Sequence, residues 1–300
     1  MKLCTTTADF ALHTNSDIEK IKELRNAGFK YADLSMFGNE TKAYMHSGWK
    51  DDVKRLKDVA DEIGITFIQA HSPAFETLET LDPNENWQEK LQETIRSIEV
   101  CCELGIPYTV VHAGVKRNCG REETLKLNKE FYQLLFPVME KTGVYVLTEN
   151  APCTDNQGRY YFNSGSRLAE LVDYVNHPLF KACWDIGHGN FFGSQYKDIT
   201  TLGDRIKAIH YNDNTGGPVD LHTMPFLGTL DHDDPIGALI DINYSGAFTF
   251  ESPCMIKQKV FDFDNKKGQS GASIDIVRAM EKALYETGKY LLSTYGLFEE

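Results

Sequence analysis

CWDIGHGN, residues 183–190, ends an apolar run in a carboxylate, Asp185, and then bends through Gly187 and Gly189 around His188. An Asp-x-x-His on a turn that glycines permit supplies two metal ligands. It equally reads as a turn whose aspartate caps the segment that follows. Eight residues do not choose between these readings; the rest of the chain does, if other apolar runs end in the same way.

Working outward, short β-rich apolar runs recur at Lys2–Thr6, Tyr31–Met36, Thr66–Ala70, Tyr108–His112, Val144–Glu149, Ala182–Asp185, Ile206–Tyr211 and Ala247–Glu251. Between them lie amphipathic patterns such as IEKIKELRNAGF, DDVKRLKDVADEIG and WQEKLQETIRSIEVCCELG, a helical segment around Leu125–Thr142, and SRLAELVDYVN. Gly28, Gly64, Gly105 and Gly143 stand where helix C-caps belong. SIDIVRAMEKALYETGKYLL closes the series. Eight strands alternating with helices predict an α/β fold, a (β/α)8 TIM barrel over residues 1–300 as one domain. The competing fold is a doubly wound open sheet, against which stands the lack of a Gly-rich dinucleotide fingerprint after any strand.

A barrel brings the C-terminal ends of its strands to one site. Those ends read His71, His112, Glu149-Asn150, Asp185, His210-Tyr211-Asn212-Asp213 and Glu251-Ser252, and three of the nine histidines sit directly there. Singly, each has a plain reading: Glu149 paired with a lysine, Asp185 as an N-cap, His71 or His112 as a hydrogen-bonded core imidazole. Together they predict a polar cluster that must be paired or metal-bound. Glu149, Asp185, His210 and Glu251 offer oxygen and nitrogen without thiolate, a set suited to a divalent ion such as Mn2+, Co2+, Mg2+ or Zn2+.

Composition bounds the partners. With 41% hydrophobic and 25% charged residues the chain reads as soluble and globular, and 31 basic against 44 acidic residues leave −13, which opposes non-specific attraction to nucleic acid. No leader-like or membrane-spanning run is visible and the seven cysteines show no CxxC spacing, so a cytoplasmic protein with reduced thiols is expected. Self-association is left open.

The chain resembles the xylose-isomerase-like barrels, which include sugar isomerases and epimerases and also endonuclease IV. The resemblance rests on TEN at 148–150, WDIGHGN at 184–190, IHYNDN at 209–214, DLHTMPFLGTLD at 220–231 and FES at 250–252. The epimerase members imply one divalent metal on Glu149, Asp185, His210 and Glu251, with His188 touching substrate and His71 and His112 lining its site. The endonuclease members imply three zinc ions, for which His71, His112, His188, Asp220 and His222 become additional ligands. The chain departs from ketose 3-epimerases in carrying Thr215-Gly216-Gly217 where those usually place an arginine.

The first reading is a metal-dependent isomerase or epimerase of a sugar or sugar phosphate, working through an enediolate with Glu149 and Glu251 sharing the proton work. The second is a trinuclear zinc phosphodiesterase acting on abasic DNA, favoured by Lys116, Arg117, Arg121, Arg159, Lys257, Lys259, Lys266 and Lys267 on loops of the same face. The third is a non-catalytic sugar-binding barrel. Phe37, Tyr44, His46 and Trp49 after strand two are expected over the mouth, and the 252–271 loop is the other candidate for closure.

Overall fold

The computed structural model describes residues 1–37, 40–73, 85–217, 219–252 and 273–300. Eight strands pair in parallel in chain order: β1 Lys2–Thr6, β2 Tyr31–Ser35, β3 Thr66–His71, β4 Tyr108–Val110, β5 Tyr145–Glu149, β6 Phe180–Asp185, β7 Ile206–Tyr211 and β8 Ala247–Phe250. β1 pairs with β8, Lys2 opposite Ala247 and Thr5 opposite Phe250, so the barrel closes. β4 and β8 end at Val110 and Phe250, short of the expected His112 and Glu251, although Glu251 N still donates to Tyr211 O of β7 at 3.2 Å.

Around the barrel run α1 Asp17–Ala27, α2 Trp49–Ile63, α3 Glu85–Leu104, α4 Arg121–Gln133, α5 Phe136–Thr142, α6 Gly165–Val175, the short α7 Ile186–Asn190, α8 Tyr196–Leu202, α9 Asp233–Asp241 and α10 Ile274–Thr294. The helix expected around Leu125–Thr142 is two helices. Pro137 sits in the first turn of α5, where its missing N–H costs nothing, whereas inside a continuous helix its ring would meet the carbonyl of Gln133. No helix among the described residues is long and apolar enough to cross a membrane.

The period-two alternation of the strands places the site. On β5, β6 and β7 one face carries Leu147 then Glu149, Cys183 then Asp185, and Ala208 then His210. Val110, Leu147, Cys183 and Ala208 pack together as the apolar filling of the barrel. One step further along each strand the same face delivers the charged residue to the open end. Trp184, between Cys183 and Asp185, turns the other way into the helix-facing core, and its Nε1 donates to Gln195 Oε1 at 2.8 Å.

One buried pair lies outside the site. Glu281 on α10 is 0% exposed beside Asp9, which is 1% exposed and accepts from Thr5 Oγ1 at 2.8 Å. Burial, and then the negative charge of Asp9, push the Glu281 carboxyl well above the usual carboxylate range. A carboxyl whose pKa is raised on folding stabilises fully below its unfolded value, and the contribution is lost as pH rises through the folded one. Glu281→Gln, which needs no proton to stay neutral, should therefore melt with wild type at pH 5 and about 2–4 °C above it at pH 9. Parallel melting curves at both pH values would remove Glu281 as the cause.

Candidate metal centre

Asp185 closes β6 and does two things at once. As N-cap of α7 its Oδ1 accepts from His188 N at 2.6 Å, while its Oδ2 accepts from Asn212 Nδ2 at 2.9 Å. Asn150 fixes its backbone, accepting from Asp185 N at 2.7 Å and donating to Asp185 O at 2.9 Å. The capping reading of CWDIGHGN is what the structure shows, and it is compatible with the other: the cap turns α7 so that His188 faces the barrel mouth, and the carboxylate stays among the donor atoms that could hold an ion.

All nine candidate residues meet at that mouth. Glu149 Oε1 lies 2.9 Å from His210 Nδ1 and its Oε2 lies 2.9 Å from His112 Nε2. His210 Nδ1 is also 3.1 Å from Glu251 Oε2. His71 Nε2 stands 3.0 Å from His112 Nε2 and 3.7 Å from Glu149 Oε2. On the other side, Asp220 Oδ2 is 3.1 Å from His188 Nε2 and 2.7 Å from His222 Nε2. Donor atoms of Glu149, Asp185, His210 and Glu251 fall within 4.8 Å of one another, as do those of His71, Glu149 and His210, and those of Asp185, His188 and His222.

The ring orientations test whether a cation fits. The Nδ1–H groups of His71, His188 and His222 donate to the carbonyls of Ser72 at 2.9 Å, Asn150 at 2.7 Å and Glu251 at 3.0 Å. A neutral imidazole held in that way aims an Nε2 lone pair inward, here at a carboxylate oxygen or at another ring nitrogen. Such contacts are stable only with positive charge between the partners, either a proton on each ring or a divalent ion among them. The donor set, imidazole and carboxylate without thiolate, fits the divalent ions named above.

Electrostatics run in the same direction. Burial pushes Asp185 up to about 6, with His188 and His222 opposing. Burial works against charge on His188 too, yet Asp185 and Asp220 raise it to about 9. Hydrogen bonds from His188 and His222 overcome burial at Asp220 and hold it at about 2. Each charge is tolerable only because of its neighbours.

The cluster floors a cavity of about 460 Å³ whose wall includes Ser35, Phe37 and Glu40. Phe37 overhangs it as expected, its ring 5.2 Å from that of His71 in an edge-on arrangement. Tyr44 and Trp49 do not: they are 4% and 7% exposed, and Arg96 binds both, donating to the Tyr44 carbonyl at 2.9 Å and stacking 4.4 Å from the Trp49 ring. His46 instead contacts Asp52 on the surface at 2.9 Å. Of the loop cations, Arg121 pairs with Glu170, and Arg159 lines a second chamber. Lys257, Lys259, Lys266, Lys267 and the 253–271 part of the second lid lie outside the described residues.

Two supporting groups had no role in the sequence reading. Asn150 and Asn212, one residue past Glu149 and two past His210, orient Asp185. Asp213 accepts from the backbone N–H of Asn214, Phe226, Gly228 and Leu230 at 2.8–3.1 Å, folding the segment that carries Asp220 and His222 back over the mouth. Their signal was present as NDN directly after a strand end, but side-chain amides and carboxylates in loops have many uses.

Among curated proteins, the chain is 29% identical over 184 residues to a probable endonuclease 4 of Nitrosopumilus maritimus, a match covering 56% of this chain and 63% of that one. Among solved structures it superposes on the IOLI protein with a bound zinc atom at a TM-score of 0.75, with 19% identity and all of both chains covered. It also superposes on D-psicose 3-epimerase from Clostridium cellulolyticum at 0.73, with 17% identity over 97% of this chain and 99% of that one. Residues 21–280 match the family described as xylose isomerase-like TIM barrel, and the chain belongs to that family.

Proposed function

We propose that this protein is a divalent-metal-dependent isomerase or epimerase of a sugar or sugar phosphate. The observation that carries the reading is the pair Glu149 and Glu251: they come from non-adjacent strands, face the same cavity, and are held 2.9 and 3.1 Å from one imidazole nitrogen of His210. A metal held by Glu149, Asp185, His210 and Glu251 would stabilise negative charge developing on neighbouring substrate oxygens. Glu149 would take a proton from a carbon beside a carbonyl and Glu251 would return one, or the reverse, leaving an enediolate between the two events. His188, with its Nδ1–H tied to Asn150 O, is positioned to orient a hydroxyl. His71, His112 and Phe37 would bound the sugar on the other side. The D-psicose epimerase, solved with D-tagatose, supports a sugar as substrate, and the zinc in the IOLI structure supports a metal.

A second reading, a trinuclear zinc phosphodiesterase acting on abasic DNA, is favoured by one observation: seven residues form three overlapping donor groups rather than one, with His112 and Asp220 beside them. The endonuclease 4 relatives support it, and the −13 charge weighs against it.

Elemental analysis beside incubation with ketoses in heavy water separates the readings. About one metal per chain and deuterium entering at the carbon next to the carbonyl are expected. Three zinc ions, with abasic-site cleavage lost in both His71→Ala and His222→Ala, would transfer the assignment to the nuclease. Ketose binding without exchange or cleavage would leave a sugar-binding barrel.

A further inference from the structure

Beside the metal cluster lies a second chamber of about 380 Å³ that shares His112, Glu149 and His188 with the first. Its outer wall is the segment between β5 and α6. Asn156 and Arg159 pair across a tight turn, Arg159 N donating to Asn156 O at 2.8 Å, with Gln157 and Gly158 both at positive φ. The only acidic residue of residues 150–164, Asp155, is taken. Its two oxygens accept from Arg167 Nη1 and Nη2 at 2.8 and 3.1 Å, and that guanidinium also lies 4.3 Å from the Tyr160 ring.

Arg159 is left lining the chamber without a counterion among the described residues. Among the described residues its side chain has no hydrogen-bond partner, and its Nε is shut off from solvent. A guanidinium cannot shed its proton, and a planar fork of N–H donors lining a cavity is matched best by an oxyanion that accepts two of them. The chamber's other polar side chains near this wall are neutral, while the cluster it adjoins is rich in carboxylates. Along this outer wall Arg159 is the one cationic side chain among the described residues.

We propose that Arg159 binds a carboxylate or phosphate carried by the substrate, at the end remote from the carbons flanked by Glu149 and Glu251. The substrate is then an acidic ketose rather than a neutral one. This assignment rests on the proton-transfer reading above for the identity of the ligand as a sugar.

The test is calorimetric titration of the metal-loaded protein with D-fructose, D-fructose 6-phosphate and D-fructuronate, for wild type, Arg159→Gln and Arg159→Lys. Wild type should bind one of the anionic ketoses at least about tenfold more tightly than fructose. That ratio should collapse towards one in Arg159→Gln and recover in part in Arg159→Lys. Whichever anion gains identifies carboxylate or phosphate. Equal affinity for all three, no binding of any, or a preference that survives Arg159→Gln overturns the proposal. Deuterium exchange is measured separately: an Arg159-dependent preference without exchange keeps the anion subsite and discards the proton-transfer chemistry.

Discussion

Glu149→Gln is expected to lower ketose turnover by at least about a thousandfold, to leave the protein with little metal, and to melt below wild type because buried imidazoles lose their counter-charge. The two losses have one origin. Glu149 is 5% exposed and its two oxygens face His112 and His210 at 2.9 Å and His71 at 3.7 Å, so it balances three imidazoles at once. A glutamine has the same shape, which preserves the packing, but removes both the negative charge and the base. Glu251 faces His210 at 3.1 Å and His222 Nδ1 at 3.6 Å. Glu251→Gln should therefore keep more metal than Glu149→Gln and still lose about 10²–10⁴ in rate. Wild-type turnover in Glu251→Gln with metal retained would reduce this residue to a ligand and end the two-base scheme. Metal content has to be measured on the same samples as rate, since either loss alone lowers turnover.

Gly187→Ala should be strongly damaging to the site. A Cβ there would stand 1.7 Å from Asn212 Oδ1 and 2.5 Å from its Cγ, and Asn212 is fully buried. Moving it breaks the Nδ2 contact to Asp185 Oδ2. A cost of about 2–4 kcal/mol is expected from overpacking and the lost buried hydrogen bond. Metal affinity should fall by about tenfold or more, because Asp185 loses the amide that orients it. Gly237→Ala is the contrast: on α9, with no atom within 4 Å of the added carbon, it should stabilise by about 0.5–1 kcal/mol. Chemical denaturation of the two variants, with metal titration of the first, checks both. Comparable stability in the pair would mean that the loop carrying Asn212 yields freely.

Local physics fixed a large part of this molecule in advance. Strand periodicity is set by backbone geometry, so Leu147 and Glu149, Cys183 and Asp185, Ala208 and His210 had to share one face whatever surrounded them. Alternation of such strands with amphipathic helices implied parallel pairing and a closed barrel, and a closed barrel implied that residues as far apart as His71 and Glu251 share a site. What stayed hidden depends on partners distant in the chain. Whether Tyr44 and Trp49 guard the mouth or fill the core turns on Arg96, about fifty residues further on. Whether Asp185 caps a helix or faces its neighbours' imidazoles was a false choice, since Asn150 and Asn212 let it do both. That Asp155 pairs with Arg167, twelve residues on, and leaves Arg159 without a partner among the described residues is likewise a matter of tertiary placement. The sequence by itself determined which strand side chains point to the barrel mouth, because that follows from a two-residue repeat. Only the tertiary structure decided how their charges are shared out, because electrostatic pairing depends on distances of 3–4 Å between segments that the sequence does not relate.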